Sequence, residues 1–351
     1  MVEIVAHCKL SLLKKISLYL HIPFCAQRCH YCDFYSSTKI SSCGEQFLES
    51  IRKELVWQKN RFQESVQLQT IYFGGGTPNL FAPGALLSLL ETISRNFLIR
   101  QDCEITIEMN PEFVPNAEGL QSLREGGFNR ISIGAQSAND NELRFLGRIH
   151  SHESTLKAVD AARKAAFENI CLDLIWNIPG QTEKQLQHTL ETFIELEPSH
   201  ISAYSLSAEE GTPYAALIEN GEIAENPETI GNIFFEQVHD ELEKAGFEHY
   251  EISNFSQAGK RSKHNQSYWL GDDYLGLGPS AHSKLGKRRF WHDAKLLSYI
   301  EKASKNDFTP DGDEEITRQI ELEELILLRL RTKEGLKLTD FTKWEREKLL
   351  Y

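Results

Sequence analysis

No apolar run in this 351-residue chain is long enough to cross a bilayer, so no membrane-spanning helix is expected. The opening MVEIVAHCKLSLLKK lacks a basic start followed by an apolar block and a small-residue cleavage site; no secretory signal is read, and a cytoplasmic setting is expected. Paired cysteines are missing as well. Seven is an odd number, and Cys8, Cys43, Cys103 and Cys171 are scattered, which argues against a disulfide scaffold and suits a reducing compartment. Positive charge is short: 38 Lys and Arg face 51 Asp and Glu, a net charge of −13, so the surface as a whole is not built to neutralise a nucleic acid. Two local basic stretches, one at Lys260, Arg261 and Lys263 and one at Lys284, Lys287, Arg288 and Arg289, read as solvated loops. No internal repeat or low-complexity segment appears.

What is present is a 40% hydrophobic chain, long enough for one large domain and a smaller one. Its most informative stretch is ISLYLHIPFCAQRCHYCDFYS, from Ile16 to Ser36, which places Cys25, Cys29 and Cys32 in one loop after a strand-like run. Three thiolates from one loop can hold a four-iron cluster that is ordinarily bound by four, leaving one iron open to a substrate or cofactor. A structural zinc completed by His21 or His30 is the competing reading, and three unliganded buried thiols the plainest one.

From Ile16 onward, short β-like runs alternate with helical ones. Strands are expected at ISLYLHI, QTIYFGG, EITIEMN, RISIGAQ, ICLDLIW and HISAYSL, separated by patterns with apolar residues three and four apart. Six β/α alternations predict an α/β fold with a parallel sheet curled into a full or partial barrel, two units short of the closed eight-unit form. Ligands in such folds bind at the carboxyl ends of the strands. The distinctive segments follow the strands in that way: the cysteines, GGGTP, NPE after Glu108, GAQS around Gln136, NIPGQT and SLSAEEGT. GGGTP lets a ligand approach the backbone, yet fits neither the P-loop nor the dinucleotide fingerprint. Residues 1–15 are expected to form an arm and 16–222 the barrel. Residues 223–351 are expected to form a smaller, mainly helical domain, with a helix near Thr229–Ala245, a short strand over Tyr250–Phe255, a glycine-rich loop over Asp273–His282 and an apolar helix over Ile316–Leu330.

CAQRCHYC, with an aromatic before the third cysteine, resembles the cluster motif of the radical S-adenosylmethionine (SAM) superfamily. The wider YLHIPFCAQRCHYCDF resembles the anaerobic coproporphyrinogen III oxidase family. Oxidases of that family carry a further cysteine two positions after the third, where this chain has Phe34, and the CDF ending resembles the HemW-type heme chaperone branch. The resemblance implies an open six-unit radical-SAM partial barrel and a 4Fe-4S cluster on Cys25, Cys29 and Cys32. It also implies SAM contacts at Tyr19, Tyr31, Gly75, Gly76, Thr77, Glu108, Gln136, Arg148 and Asp173, with a backbone contact at Ser207. The cluster would pass one electron to the sulfonium and release a 5′-deoxyadenosyl radical.

HNQSYW, from His264 to Trp269, is similar to the HNxxYW pattern of the chaperone branch, which implies heme contact through His264, Tyr268 and Trp269, with Arg261 or Lys263 meeting a propionate. Heme is then the cargo, and an electron donor and a heme-accepting protein are the implied partners. His282 and His292 are secondary candidates. The implied function is heme binding and delivery. The alternatives are an active oxygen-independent coproporphyrinogen III oxidase and a zinc-stabilised binding module without redox chemistry. Against the oxidase stand Phe34 and the 24 residues before Cys25, where the oxidases have a longer segment. Relatives of the branch usually continue past ELILLRLRTKEGL, so a shortened C-terminal domain is expected.

Overall fold

The computed structural model describes residues 13–342. The barrel half of the chain runs β1 (Lys14–Ile22), α1 (Ile40–Arg61), β2 (Val66–Gly75), α2 (Pro83–Asn96), β3 (Leu98–Met109), α3 (Ala117–Glu125), β4 (Arg130–Gln136), α4 (Asp140–Phe145), α5 (His152–Lys164), β5 (Ile170–Trp176), α6 (Glu183–Glu195), β6 (His200–Ser205) and α7 (Pro213–Glu219). The remainder adds α8 (Glu228–Lys244), β7 (Glu248–Glu251), β8 (Asn254–Ser256), α9 (Lys263–Leu270), β9 (Tyr274–Leu277), β10 (His282–Leu285), β11 (Arg288–Trp291), α10 (Leu296–Ser304), β12 (Gly312–Glu315) and α11 (Arg318–Arg329).

Strands β1 to β6 pair in parallel and in order, each sequence neighbour beside the last. The six expected strands are therefore all present, and the open parallel sheet agrees with the six-unit partial barrel. Alternation sends Leu18, Leu20 and Ile22 of β1 outward beneath the helices, where they are fully buried. Phe47, Ile51 and Leu55 of α1 meet them with none of their surface left in water. Each such side chain contributes roughly 1.5–3 kcal/mol of apolar burial. Inward face Ser17, Tyr19 and His21 of β1, and the corresponding positions of its neighbours, so the lumen is polar while the outer face is apolar.

Helices make up the greater part of the regular structure beyond residue 222, but the strands there extend the same sheet on both sides. At one edge β9 lies parallel to β1, followed by the antiparallel β10, β11 and β12. At the other, β8 pairs antiparallel with β6, and β7 with β8. The expected glycine-rich loop over Asp273–His282 thus contains a strand: Gly276 and Gly278 mask it in the sequence. A Cβ on Gly276 would meet the His282 carbonyl at 2.1 Å, and Gly278 has φ +98° beside the His21 carbonyl. The single strand expected over Tyr250–Phe255 is the hairpin β7–β8. Helix α11 forms where the apolar run predicted it, yet none of its residues is fully buried. The expected N-terminal arm lies outside the described residues as far as 12, and Lys14 and Lys15 already belong to β1.

The lower half of the lumen is closed by α9. Ser262 caps its first turn through Asn265 N–H at 3.3 Å, and Gly271 ends it in the left-handed conformation at φ 72°. Both carboxylate oxygens of Glu104 on β3 accept from the helix N-terminus, Lys263 N at 3.2 Å and His264 N at 3.0 Å. The Ser17 hydroxyl of β1 donates to Ser267 at 3.0 Å. A buried carboxylate on α1, Glu54, fastens the C-terminal part from outside. It accepts from Tyr299 at 2.6 Å and Gly278 N at 3.0 Å and pairs with His292 at 2.8 Å.

Candidate functional site

The cysteine loop leaves the carboxyl end of β1 and is closed on itself, Ser37 N donating to Pro23 O at 2.6 Å and Cys25 N to Ser37 O at 3.1 Å. Phe24 anchors it, buried edge-on between Phe47 and Phe81 with ring centres 5.3 and 5.6 Å away. Held this way, Cys25, Cys29 and Cys32 are half-buried at the mouth of a cleft of about 420 Å³ that opens over the strand ends. Thr77 donates to the Cys25 sulfur at 3.6 Å, and the Arg148 guanidinium reaches the Cys29 sulfur at 3.5 Å. Burial pushes the Cys25 thiol up and the Cys32 thiol to about 11. A bound cationic centre would reverse that preference, because a coordinating thiol is deprotonated outright.

The thiols suit a cluster better than a single ion. Among the described residues no group of three or more His, Cys, Asp or Glu converges on one metal position. In a four-iron cluster each thiolate takes its own iron, so its ligands ring the centre rather than meet at a point. Of the two histidines that would complete a zinc site, His21 has both ring nitrogens engaged, whereas His30 keeps its Nε2. His30 Nδ1 donates to the Phe145 carbonyl at 2.8 Å, while His21 contacts the Tyr35 carbonyl at 2.9 Å and the Tyr19 hydroxyl at 3.0 Å. Burial holds His21 down at about 4, so it is neutral.

Tyr31, Gly75, Gly76, Thr77 and Glu108 all line this cleft, as do Gln136, Arg148, Asp173 and Ser207. Tyr19 does not; it sits below, between His21, Tyr72 and His264. Glu108 accepts from the Tyr72 hydroxyl at 2.7 Å and from Gly75 N at 2.9 Å, and burial raises it to about 7. Gln136 ends β4 at φ 64°, an uncommon conformation for a side-chain-bearing residue and one often found where a site imposes it. Beside it Arg148 donates to the Gly134 carbonyl at 2.8 Å, which fixes the guanidinium against Cys29. Asp173 accepts from Ser132 at 3.1 Å, with burial raising its pKa. The Ser207 hydroxyl donates to Glu209 at 2.6 Å.

The glycines have a cause beyond ligand approach. A Cβ on Gly75 would meet the His21 ring at 2.5 Å, and one on Gly76 the Phe24 carbonyl at 2.6 Å, so both let β2 pass close under the cysteine loop. Gly76 N and Thr77 N then donate to the Ile22 and Phe24 carbonyls at 2.8 and 2.6 Å.

Among the cleft residues that the sequence reading did not assign to the site are Tyr72, Arg130 and Asn265. Period-two alternation carried the signal of Tyr72 and Arg130. Tyr72 shares the inward face of β2 with Thr70, and Arg130 opens a strand in which Ser132, Gly134 and Gln136 also face in.

The HNQSYW segment is α9, and its histidine lies inside the plug. His264 is 1% exposed; its Nδ1 meets Thr70 Oγ1 at 2.7 Å, its Nε2 the Tyr268 hydroxyl at 2.9 Å, and its ring stacks on Tyr72 at 4.8 Å. Burial lowers its pKa to about 3, so it is neutral, and both ring nitrogens are taken. His264, Tyr268 and Trp269 do not line the cleft; Asn265 of the same helix does. Arg261, expected at a propionate, forks onto Glu248 at 2.7 and 3.0 Å and reaches Glu334, and Lys263 pairs with Asp102 at 3.6 Å. His282 stacks on Trp291, and His292 pairs with Glu54, both away from the cleft.

Comparison with known proteins meets this geometry. The radical SAM superfamily pattern matches residues 19–193, the span from β1 to α6. Over 91% of its length the chain is 36% identical to the heme chaperone HemW of Bacillus subtilis, covering 84% of that protein. This chain belongs to the HemW family of radical SAM proteins. HemW of Mycobacterium tuberculosis is 33% identical over 94% of the chain and 85% of its own length. Among solved structures, Escherichia coli coproporphyrinogen III oxidase, HemN, described as a radical SAM enzyme, superposes with a TM-score of 0.79 at 25% identity. That match covers 91% of this chain and 76% of HemN. Membership of the HemW family implies a 4Fe-4S cluster and SAM, and the three thiols with their Thr77 and Arg148 donors fit the cluster. No helix among the described residues is long and apolar enough to cross a membrane.

Proposed function

We propose that this chain is a heme-binding delivery protein that carries a 4Fe-4S cluster on Cys25, Cys29 and Cys32 and binds SAM in the cleft below it. The observation that carries the reading is the 36% identity to a heme chaperone over nine-tenths of the chain, against 25% to the coproporphyrinogen oxidase. Phe34, where the oxidases have a further cysteine, supports the same side.

With SAM bound, a cluster that has one iron free of protein ligands supplies one-electron cleavage of the sulfonium bond. The chain's own residues prepare the place. Arg148 and Thr77 set positive and donor character against the sulfurs of Cys29 and Cys25. Glu108, held by Tyr72 and Gly75, presents a carboxyl group to the cleft whose charge changes near neutral pH. Asp173, Gln136 and the Ser207 backbone offer polar contacts along one wall.

Heme contact through His264, Tyr268 and Trp269 calls for Nε2 of His264 to leave the Tyr268 hydroxyl. Tyr268→Phe removes that competitor, so heme affinity should rise in this variant if His264 ligates the iron. An unchanged affinity would remove His264 from the heme site. The protein acts in the cytoplasm, takes electrons from a separate donor and hands heme to an acceptor; the buried free thiols Cys43, Cys103 and Cys171 suit a reducing compartment.

Purification without oxygen, followed by assay of iron, sulfide and zinc and incubation with coproporphyrinogen, tests the reading. About four irons per chain and no coproporphyrinogen consumed are expected. Conversion of coproporphyrinogen would make the protein an oxidase, and zinc in place of iron would leave the binding module.

A further inference from the structure

Arg130 opens β4 on the inward face, is 2% exposed and lines the cleft. Its side chain makes no hydrogen bond to any described residue, and its Nε is buried without a partner. No carboxylate oxygen among the described residues lies within 4.0 Å of its guanidinium nitrogens. That is unusual, because the N–H groups of a buried side chain ordinarily find a hydrogen-bond partner. The nearby carboxylates are committed elsewhere. Glu104 spends both oxygens on the N-terminus of α9, Glu108 accepts from Tyr72 and Gly75, and Asp173 accepts from Ser132.

A second unengaged group faces the same space. Asn265 lines the cleft from α9, and its side-chain amide makes no hydrogen bond to any described residue. Arg130 from the sheet and Asn265 from the plug bring a guanidinium fork and an amide donor to one cleft, each without a hydrogen-bond partner among the described residues.

We propose that Arg130 and Asn265 form a carboxylate-binding subsite in the cleft, in addition to the residues implied to contact SAM. A planar carboxylate matches the guanidinium fork with two parallel hydrogen bonds, leaving the Asn265 amide to donate to it as well. A dianionic phosphate suits the place less well, because Glu104, Glu108 and Asp173 surround the arginine closely enough to interact with it electrostatically. The carboxylate comes from the methionine end of SAM or from a propionate of a tetrapyrrole. The tetrapyrrole source rests on the proposed function; the SAM source does not.

The test uses cluster-loaded full-length protein and equilibrium binding of two ligand pairs: SAM against its decarboxylated analogue, and heme against heme dimethyl ester. Wild type is compared with Arg130→Gln and Asn265→Ala, the second keeping the test open if the first fails to fold. The proposal expects at least one carboxylate-bearing ligand to bind wild type about tenfold or more tightly than its neutral partner, with that preference reduced by about tenfold in either variant. Discrimination confined to the SAM pair assigns the carboxylate to the cofactor, and discrimination confined to the heme pair assigns it to a propionate. Equal affinities within both pairs, or a preference that survives both substitutions, overturns the subsite. Wild type that binds heme without discriminating between acid and ester leaves the delivery function standing; wild type that binds no heme sinks that function while the SAM pair still decides the subsite.

Discussion

The two halves of one lumen, lined by the same strands, are finished in opposite ways. At the α9 end, His264 uses both ring nitrogens, Glu104 both oxygens, and Ser17 meets Ser267. Facing the cleft, Arg130 and the Asn265 side chain have no hydrogen-bond partner among the described residues, burial raises Glu108, and Gln136 holds a left-handed backbone. Satisfied buried polar groups make an interior rigid, whereas unsatisfied ones wait for a ligand. The difference teaches which half is for stability and which is for binding, although the chain supplies both from adjacent strand positions.

Substitutions that separate the halves should break the comparison in predictable ways, with the mouth losing ligands and the plug losing stability. Cys29→Ser is expected to drop the iron content from about four per chain to near zero, with the apoprotein's melting temperature little changed. His264→Ala removes the hydrogen bonds to Thr70 and Tyr268 and leaves a cavity, which should cost about 2–4 kcal/mol in denaturant unfolding while iron content stays at the wild-type level. Loss of iron in this variant, or no loss of stability, would dissolve the division.

Glu108 sharpens the contrast through pH. Its folded pKa of about 7 lies above the unfolded value, so the folded state holds the proton more tightly between the two. Stability from this group is present at low pH and falls as pH rises from about 4.5 to 7, by up to roughly 3 kcal/mol. Glu108→Gln carries no such titration; denaturation of cluster-free protein at pH 5 and pH 8 should show a smaller decline in the variant than in wild type. The smallest effect is expected at Phe34, 63% exposed at the mouth. Phe34→Ser should change stability by no more than about 0.5 kcal/mol, as measured by unfolding, with the cluster retained.

The sheet order was legible because six strands with alternating helices leave few alternatives, and the cleft residues were legible because they follow strand ends. Long-range pairing was not legible. Tyr274–Leu277 becomes a strand only by pairing with β1, some 250 residues away in sequence, and its glycines read as loop until that partner is known. His264 shows the same limit. Its motif is visible in the sequence, but burial beneath Tyr72 and capture by Thr70 and Tyr268 depend on strands and helices brought together from across the chain. Arg130 was hidden by its neighbours, since RISIG reads as an ordinary strand start until the inward face is seen to border a cleft.

Heme titration of the cluster-loaded protein in the presence of SAM, followed by the absorbance of bound heme, tests the central claim most directly. The account predicts saturation at about one heme per chain, with the cluster spectrum preserved. A signal that rises without saturating, or saturation only after the cluster is lost, would contradict it.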